Sequence, residues 1–169
     1  MTSHDDPPHS DPDEVLATVA ASGGRRILGM VSLGMLGLLM IYISVEQSPA
    51  LEWRVFLVVL GAASLWMADR MRRATASRIE LTRTELRDGD GTVIARVSDI
   101  EAMDRSFFAF KPSNGFLLHT GSKAPNAWRP GLWWRIGRRI GVGGMTPASQ
   151  TKLMSEIIAV IVAQRDEMR

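Results

Sequence analysis

The stretch Ile27-LGMVSLGMLGLLMIYIS-Val45 decides the fold of this chain. It contains nineteen residues and no Asp, Glu, Lys, Arg or His. At about 1.5 Å per helical residue it would be about 28 Å long, close to the hydrocarbon thickness of a bilayer. A buried core helix is the alternative, but a globular domain in a chain of 169 residues has no interior of that length. The stretch therefore predicts a transmembrane helix.

A second apolar stretch covers residues 51–68, and it predicts a second span. Its first turn holds Glu52, Trp53 and Arg54, and no charged residue follows before position 69. The two charged side chains can reach the headgroups while the tryptophan lies at the interface. A short polar connector, residues 46–50, joins the stretches. The two helices are therefore predicted to form an antiparallel transmembrane hairpin over residues 25–73.

Basic residues at the ends of the hairpin predict its orientation. Arg25 and Arg26 precede the first span, and three arginines lie between positions 70 and 73, whereas the connector side has only Arg54. Because positive residues favour the cytoplasmic side, both termini are predicted to be cytoplasmic. A cleaved signal peptide is the competing interpretation, but the first span is long for one and a second span follows almost at once.

Small residues predict where the two helices pack. Gly34 and Gly37 lie three apart on the first helix, and Gly61, Ser64 and Ala68 share one face of the second. Small side chains let membrane helices approach closely, within the hairpin or towards another membrane protein. The alternative is that glycine is simply common in membrane helices. Neither helix carries a charge that would be buried in the bilayer, which argues against transport by this chain alone.

Residues 1–24 predict a disordered acidic tail. They include five acids and no Lys or Arg, and they are rich in proline. A short helix near 14–21 is the one local structure expected there. His4 and His9 lie among aspartates, but such mixtures in tails are usually solvated, so no metal site is predicted.

Residues 77–169 have the pattern of an α+β domain. An Asp-Gly-Asp-Gly turn at 88–91 predicts a hairpin, and Pro147 suits the first turn of a terminal amphipathic helix. The predicted strands are 78–82, 84–87, 92–95, 100–103, 107–110, 116–120 and 132–138. Antiparallel strands followed by one long helix define the class.

The order of these elements resembles bacterial membrane proteins with a pleckstrin-homology-like domain. The resemblance rests on the two spans and on generic motifs in residues 77–169: Ile79-Glu80-Leu81-Thr82, Leu86, the turn Asp88–Gly91, Val93-Ile94, Asp99-Ile100-Glu101, Gly115-Phe116-Leu117-Leu118 and the helix from Pro147. It implies a barrel-like sheet plugged by a helix, a location in the bacterial inner membrane, and a binding or scaffolding role. It carries over no ligand residues, because no phosphoinositide-binding pattern is present.

The most distinctive motif of the domain is the tryptophan- and arginine-rich stretch at 128–139. If 132–139 is one extended strand, one face points into the core and carries Leu132, Trp134 and Ile136. The other face carries Trp133, Arg135 and Arg139, which predicts contacts with anionic lipid headgroups or an acidic partner. The alternative is that Trp133 packs under a loop and the arginines pair with acids such as Asp99, Glu101 or Asp104.

Other constellations predict little chemistry. The glycines at 137–144 lack the βαβ context of a dinucleotide loop, and Asp88, Asp90 and Asp99 lack a calcium-loop glycine at the sixth position. The absence of cysteine excludes disulfides and thiol chemistry, and His119 has no nucleophile or carboxylate at diagnostic spacing. A net charge of +2 does not indicate nucleic acid. No cofactor is predicted.

The sequence therefore predicts a non-catalytic membrane protein. Its expected role is an accessory or scaffold protein, a subunit or assembly factor of an inner-membrane protein complex. A module that binds anionic lipids through the tryptophan–arginine strand is the alternative function. An enzyme centred on His119 is a third, weaker alternative.

Overall fold

A computed structural model describes residues 13–47, 49–104 and 112–167 of the chain. It is α+β, with two long apolar helices, two antiparallel sheets and a C-terminal helix. Helix α1 (Gly23–Glu46) and helix α2 (Leu51–Ala74) have 24 residues each. Among the described residues, these two helices are long and apolar enough to cross a membrane, by length and composition. They include both predicted spans.

The two helices approach each other closely at Gly37 and Gly61, where neither helix has a side chain. A Cβ atom on Gly37 would lie 2.9 Å from the carbonyl oxygen of Gly61, and the reverse distance is also 2.9 Å. Ser64 is buried one turn further along α2, where its hydroxyl donates to the carbonyl of Leu60 at 2.9 Å. Gly34 faces open space, and Ala68 is half-buried. The close approach therefore centres on Gly37 and Gly61.

The chain enters α1 from a strand, not from a disordered tail. Strand β1 (Ala17–Ala20) pairs antiparallel with β2 (Arg78–Leu81), with Ala17 opposite Leu81. The prediction of disorder, or of a short helix near 14–21, is wrong for these residues. The four-residue segment is stabilised by a partner strand and by burial of Val19. Residues 1–12 of the predicted tail lie outside the described part of the chain.

The described residues form two sheets. The first has the order β1-β2-β3-β4, with β3 at Glu85–Asp88 and β4 at Val93–Arg96. A 3₁₀ turn at Val97–Asp99 leads to the second sheet, whose order is β5-β6-β9-β8-β7. Its strands are β5 (Ile100–Asp104), β6 (Phe116–Thr120), β7 (Ala127–Arg129), β8 (Trp133–Ile136) and β9 (Arg139–Val142).

The single strand predicted at 132–138 is a hairpin in the structure. Strand β8 ends at Ile136, and the chain turns at Gly137, which has a φ of +60° and so suits the tight reversal into β9. Strands β7 and β9 were not predicted. The strand expected at 107–110 lies outside the described residues.

The core lies between the two sheets and is covered by helix α3 (Ala148–Glu167). Met154 and Ile158 are fully buried on the inner face of α3, which packs against β1, β5 and the 3₁₀ turn. Polar contacts fix both ends of the helix. The Gln150 side chain accepts from the backbone of Ala20 at 3.0 Å, and Arg165 donates to the carbonyl of Ser98 at 3.0 Å. Strand β1 is thus held by both β2 and α3.

The helix contact yields a matched pair of substitutions. Gly37→Leu should destabilise the helix pair by about 1–3 kcal/mol, because a side chain would meet the backbone of α2. Gly34→Leu adds the same side chain to the same helix, where the space is open, and should be nearly neutral. Thermal unfolding of both variants in mild detergent measures the difference. Equal midpoints for the two variants would show that the helices do not pack at Gly37.

Candidate functional site

Leu132 is buried as predicted, but strand β8, which follows it, has the face of Trp133 and Arg135 inward, opposite to the prediction. Trp133 is only 3% exposed and Arg135 only 7%, whereas Ile136 is 62% exposed. The assignment of Trp133 and Arg135 to an outward face is therefore wrong, and these two side chains are not available to headgroups. Arg139 is exposed, but it lies on β9 across the turn. The physical reason is that both buried polar groups have partners inside the domain.

Trp133 is buried against the carboxylate of Asp88, which is itself completely buried. The indole Nε1 donates to Asp88 Oδ2 at 3.0 Å. Asp88 also accepts from the backbone of Gly89 at 2.8 Å and from the hydroxyl of Ser77. Arg129 Nε lies 3.3 Å from Asp88 Oδ2. One carboxylate therefore joins the hairpin turn after β3 to the segment after α2 and to strands β7 and β8.

Arg135 connects the two sheets through backbone carbonyls. Its Nη1 donates to the carbonyl of Ile94 in the first sheet at 2.6 Å. Its Nη2 donates to Ser122 at 3.2 Å, and its Nε donates to Gly137 at 3.2 Å. The suggested acid partner Asp99 instead accepts from the backbone of Ser122 at 3.1 Å. The guanidinium thus fills a structural position between the sheets.

The outward face of the second sheet carries exposed aromatic and aliphatic side chains. Trp128 on β7 lies opposite Trp134 on β8, and Ile136 is on the same face of β8. The next strand has Gly141 opposite Trp134, and a Cβ there would lie 2.4 Å from indole atoms, so the glycine makes room for the ring. Arg139 closes the far end. We call this groove, about 710 Å³, the sheet groove.

A second, smaller depression lies where α2 meets the domain. It has a volume of about 220 Å³ and lies between the last turns of α2 and the end of β7. We call it the arginine cleft. Its lining residues are Trp66, Asp69, Arg70, Arg73, Ala74, Trp128, Arg129 and Pro130. Trp128 lines both the arginine cleft and the sheet groove, so one side chain borders both depressions.

The charges of the arginine cleft are partly paired. Asp69 Oδ2 accepts from Arg73 Nε at 2.8 Å, and Asp69 Oδ1 accepts from Arg72 at 3.1 Å. Arg129 Nη2 bonds to Asp90 Oδ2 at 2.5 Å. Hydrogen bonds from Thr92 and the nearby charge of Arg129 hold the pKa of the Asp90 carboxyl below its usual range. Asp88 and Asp90 therefore fix the position of the Arg129 guanidinium.

A third groove, of about 520 Å³, runs along the outer side of α3. Leu153 and Val160 are exposed there, two turns apart on the helix. Leu16 and Arg83 form the opposite wall. The sequence predicted an amphipathic helix here. Some of its apolar side chains are buried in the core, and others line this groove.

Within residues 13–47, 49–104 and 112–167, no three His, Cys, Asp or Glu side chains come together in a way that could hold a metal ion. His119 is half-buried on β6, opposite Arg139 in the ladder. His4 and His9 lie outside the described residues.

Comparisons with protein families, with curated proteins and with solved structures find no match to this chain. The two-helix layout and the antiparallel β domain agree with the predicted arrangement of elements.

Arg135 and Arg139 provide a test of the corrected face assignment. Arg135→Met should lower the free energy of unfolding by about 2–3 kcal/mol, because it removes the charged donor from the buried carbonyl of Ile94 and the bonds to Ser122 and Gly137. Arg139→Met removes an exposed charge and should change it by less than about 0.5 kcal/mol. Denaturation in detergent, followed by tryptophan fluorescence, measures both. A larger effect at Arg139 would contradict the buried placement of Arg135.

Proposed function

We propose that this protein is a non-catalytic accessory or scaffold protein of the bacterial inner membrane. In this proposal α1 and α2 form a transmembrane hairpin, and the domain of β1–β9 and α3 lies in the cytoplasm with both termini. The domain has a pleckstrin-homology-like arrangement, which is supported by two antiparallel sheets followed by a helix on the core. The protein acts as a subunit or assembly factor of a membrane protein complex.

The observation that carries the membrane part of this proposal is the apolar outer surface of the helix pair. Leu28 is 69% exposed and Leu51 is 75% exposed, and similar aliphatic residues cover the length of both helices. An apolar surface of this extent is unfavourable in water but is the expected surface of a helix in lipid. Arginines at 25–26 and 70–73 mark the end that carries the domain, which supports a cytoplasmic location.

The observation that favours a scaffold is the sheet groove. Trp128 lines the sheet groove and also lies beside the last turns of α2, so the groove begins next to the helix pair. Exposed Trp and Ile side chains with a neighbouring arginine are typical of the centres of protein interfaces. A neighbouring membrane protein could therefore contact the helices and the domain together. Of the three contacts suggested for the alternative lipid-binding strand, Trp133 and Arg135 are buried and Arg139 is exposed.

The absence of cysteine from the chain allows a direct test of topology. Single-cysteine variants Gln47→Cys in the connector and Lys123→Cys in the domain both change exposed residues. In intact spheroplasts, a membrane-impermeant maleimide should label Gln47→Cys and leave Lys123→Cys unlabelled until lysis. The opposite pattern would reverse the orientation, and labelling of both without lysis would contradict insertion as a hairpin.

The partner surface is tested by co-purification from native membranes in mild detergent. The wild-type protein should retain a stoichiometric set of membrane proteins, and Ile136→Glu should lose them, because a buried unpaired carboxylate is costly at an interface. Val93→Glu is the matched control, since Val93 is also exposed on a strand but lies on the first sheet. Quantitative mass spectrometry compares the three samples. Equal retention in both variants would exclude the sheet groove as the contact.

A further inference from the structure

The arginine cleft lies beside the end of the uncharged part of α2. The uncharged part of α2 ends at Ala68, and the cleft is lined by the turns on both sides of this point, from Trp66 to Ala74. Tryptophan is enriched at the level of the headgroups, and basic residues are enriched on the cytoplasmic side. If the hairpin spans a membrane as proposed above, lipid phosphates surround the mouth of this cleft.

Arg70 gives the arginine cleft a cation that no carboxylate neutralises in the described residues. The lining includes three arginines and Asp69, while Asp88 and Asp90, outside the lining, pair with Arg129. Asp69 is already bonded to Arg72 and Arg73, so it does not neutralise Arg70. In the part of the chain that the structure describes, Arg70 forms no ion pair, and its guanidinium carbon lies 5.9 Å from the centre of the Trp66 ring. Stacking on the ring orients this guanidinium and leaves its N–H donors available.

The opposite wall of the cleft is preorganised. Arg129 is held by the buried Asp88 at 3.3 Å and by Asp90 at 2.5 Å. Because this side chain is already ordered, it loses little conformational entropy when an anion binds. The indole of Trp128 lies beside it on the same wall. A volume of about 220 Å³ is about seven times the share of a water molecule in the liquid, which leaves room for a phosphodiester and its glycerol carbons.

We propose that the arginine cleft binds the phosphate headgroup of an anionic phospholipid from the cytoplasmic leaflet. Arg70 and Arg73 approach the phosphate from α2, and Arg129 approaches it from β7. This inference depends on the membrane insertion contained in the proposed function, but not on a protein partner. The lipid fixes the domain against the membrane surface, because its phosphate joins the helix end to the sheet.

The test uses the full chain in nanodiscs of zwitterionic lipid, with or without phosphatidylglycerol. Phosphatidylglycerol should raise the thermal midpoint of the wild-type protein by about 3 °C. Arg70→Gln should abolish this increase. Arg54→Gln is the matched control, because Arg54 is exposed at the opposite end of the same helix and also lies at an interface. It should keep the full increase. No increase in the wild type, or its loss in both variants, overturns the proposal.

A second measurement does not depend on any variant folding. Native mass spectrometry of the wild-type protein released from mixed nanodiscs should show preferential retention of phosphatidylglycerol over the zwitterionic lipid. Equal release of both lipids overturns the proposal. Inorganic phosphate added to the protein in detergent should not reproduce the stabilisation, and a full effect of inorganic phosphate would assign the site to the free anion instead of a lipid.

The outcomes separate this inference from the proposed function. A single-cysteine variant Leu38→Cys, in the middle of α1 on its outer surface, should resist a membrane-impermeant maleimide in the same nanodiscs when the hairpin is inserted, independently of lipid type. A protein that fails to insert refutes the membrane anchor itself. A protein that inserts normally but shows no preference for anionic lipid refutes only the headgroup site.

Discussion

The pairing of β1 with β2 is the interaction on which the rest of the structure depends. These strands lie directly before α1 and directly after α2, with Ala20 opposite Arg78 at the helix-proximal end of the ladder. The ladder therefore fixes the distance between the two domain-proximal helix ends. The backbone of Ser22 adds a hydrogen bond to the carbonyl of Met145 at 2.8 Å, which joins the start of α1 to the loop before α3. In topological terms the helix hairpin is an insertion between two strands of the first sheet.

Buried contacts in the domain fix its orientation relative to the helix pair. Asp88 contacts Ser77 just after α2, and Arg129 and Trp133 in the second sheet contact the same carboxylate. Arg135 then joins the second sheet back to the carbonyl of Ile94 in the first. Buried charged groups are stabilising only when their partners are complete, so these contacts tolerate little relative movement of the sheets. These contacts therefore fix the first sheet, the second sheet and the end of α2 relative to one another.

The sequence predicted the helices and several of the strands because their signals are local. A long uncharged run needs no partner to be recognised, and the turn at 88–91 forms a hairpin through its own glycines. Strand β1 had no such signal, since Ala-Thr-Val-Ala becomes a strand only beside β2 and α3. The faces of β8 were inverted because the pattern treats arginine as exposed. The carbonyl that accepts a hydrogen bond from Arg135 is 41 residues away in the sequence, and the carboxylate that accepts one from Trp133 is 45 residues away. The pattern of β8 alone therefore gives no sign of either partner.

The two candidate surfaces are not independent, because Trp128 lines both of them. A phosphate held by Arg70 and Arg129 would lie against one side of this indole, while a protein in the sheet groove would contact it beside Trp134. The occupant that binds first orders the Trp128 ring, and the second occupant then binds without that entropic cost. Such coupling is reciprocal. A scaffold built in this way would engage its partner more tightly in an anionic membrane than in a zwitterionic one. If both surfaces are occupied as proposed, the position of Trp128 at the junction of helix and sheet would connect the lipid environment to assembly.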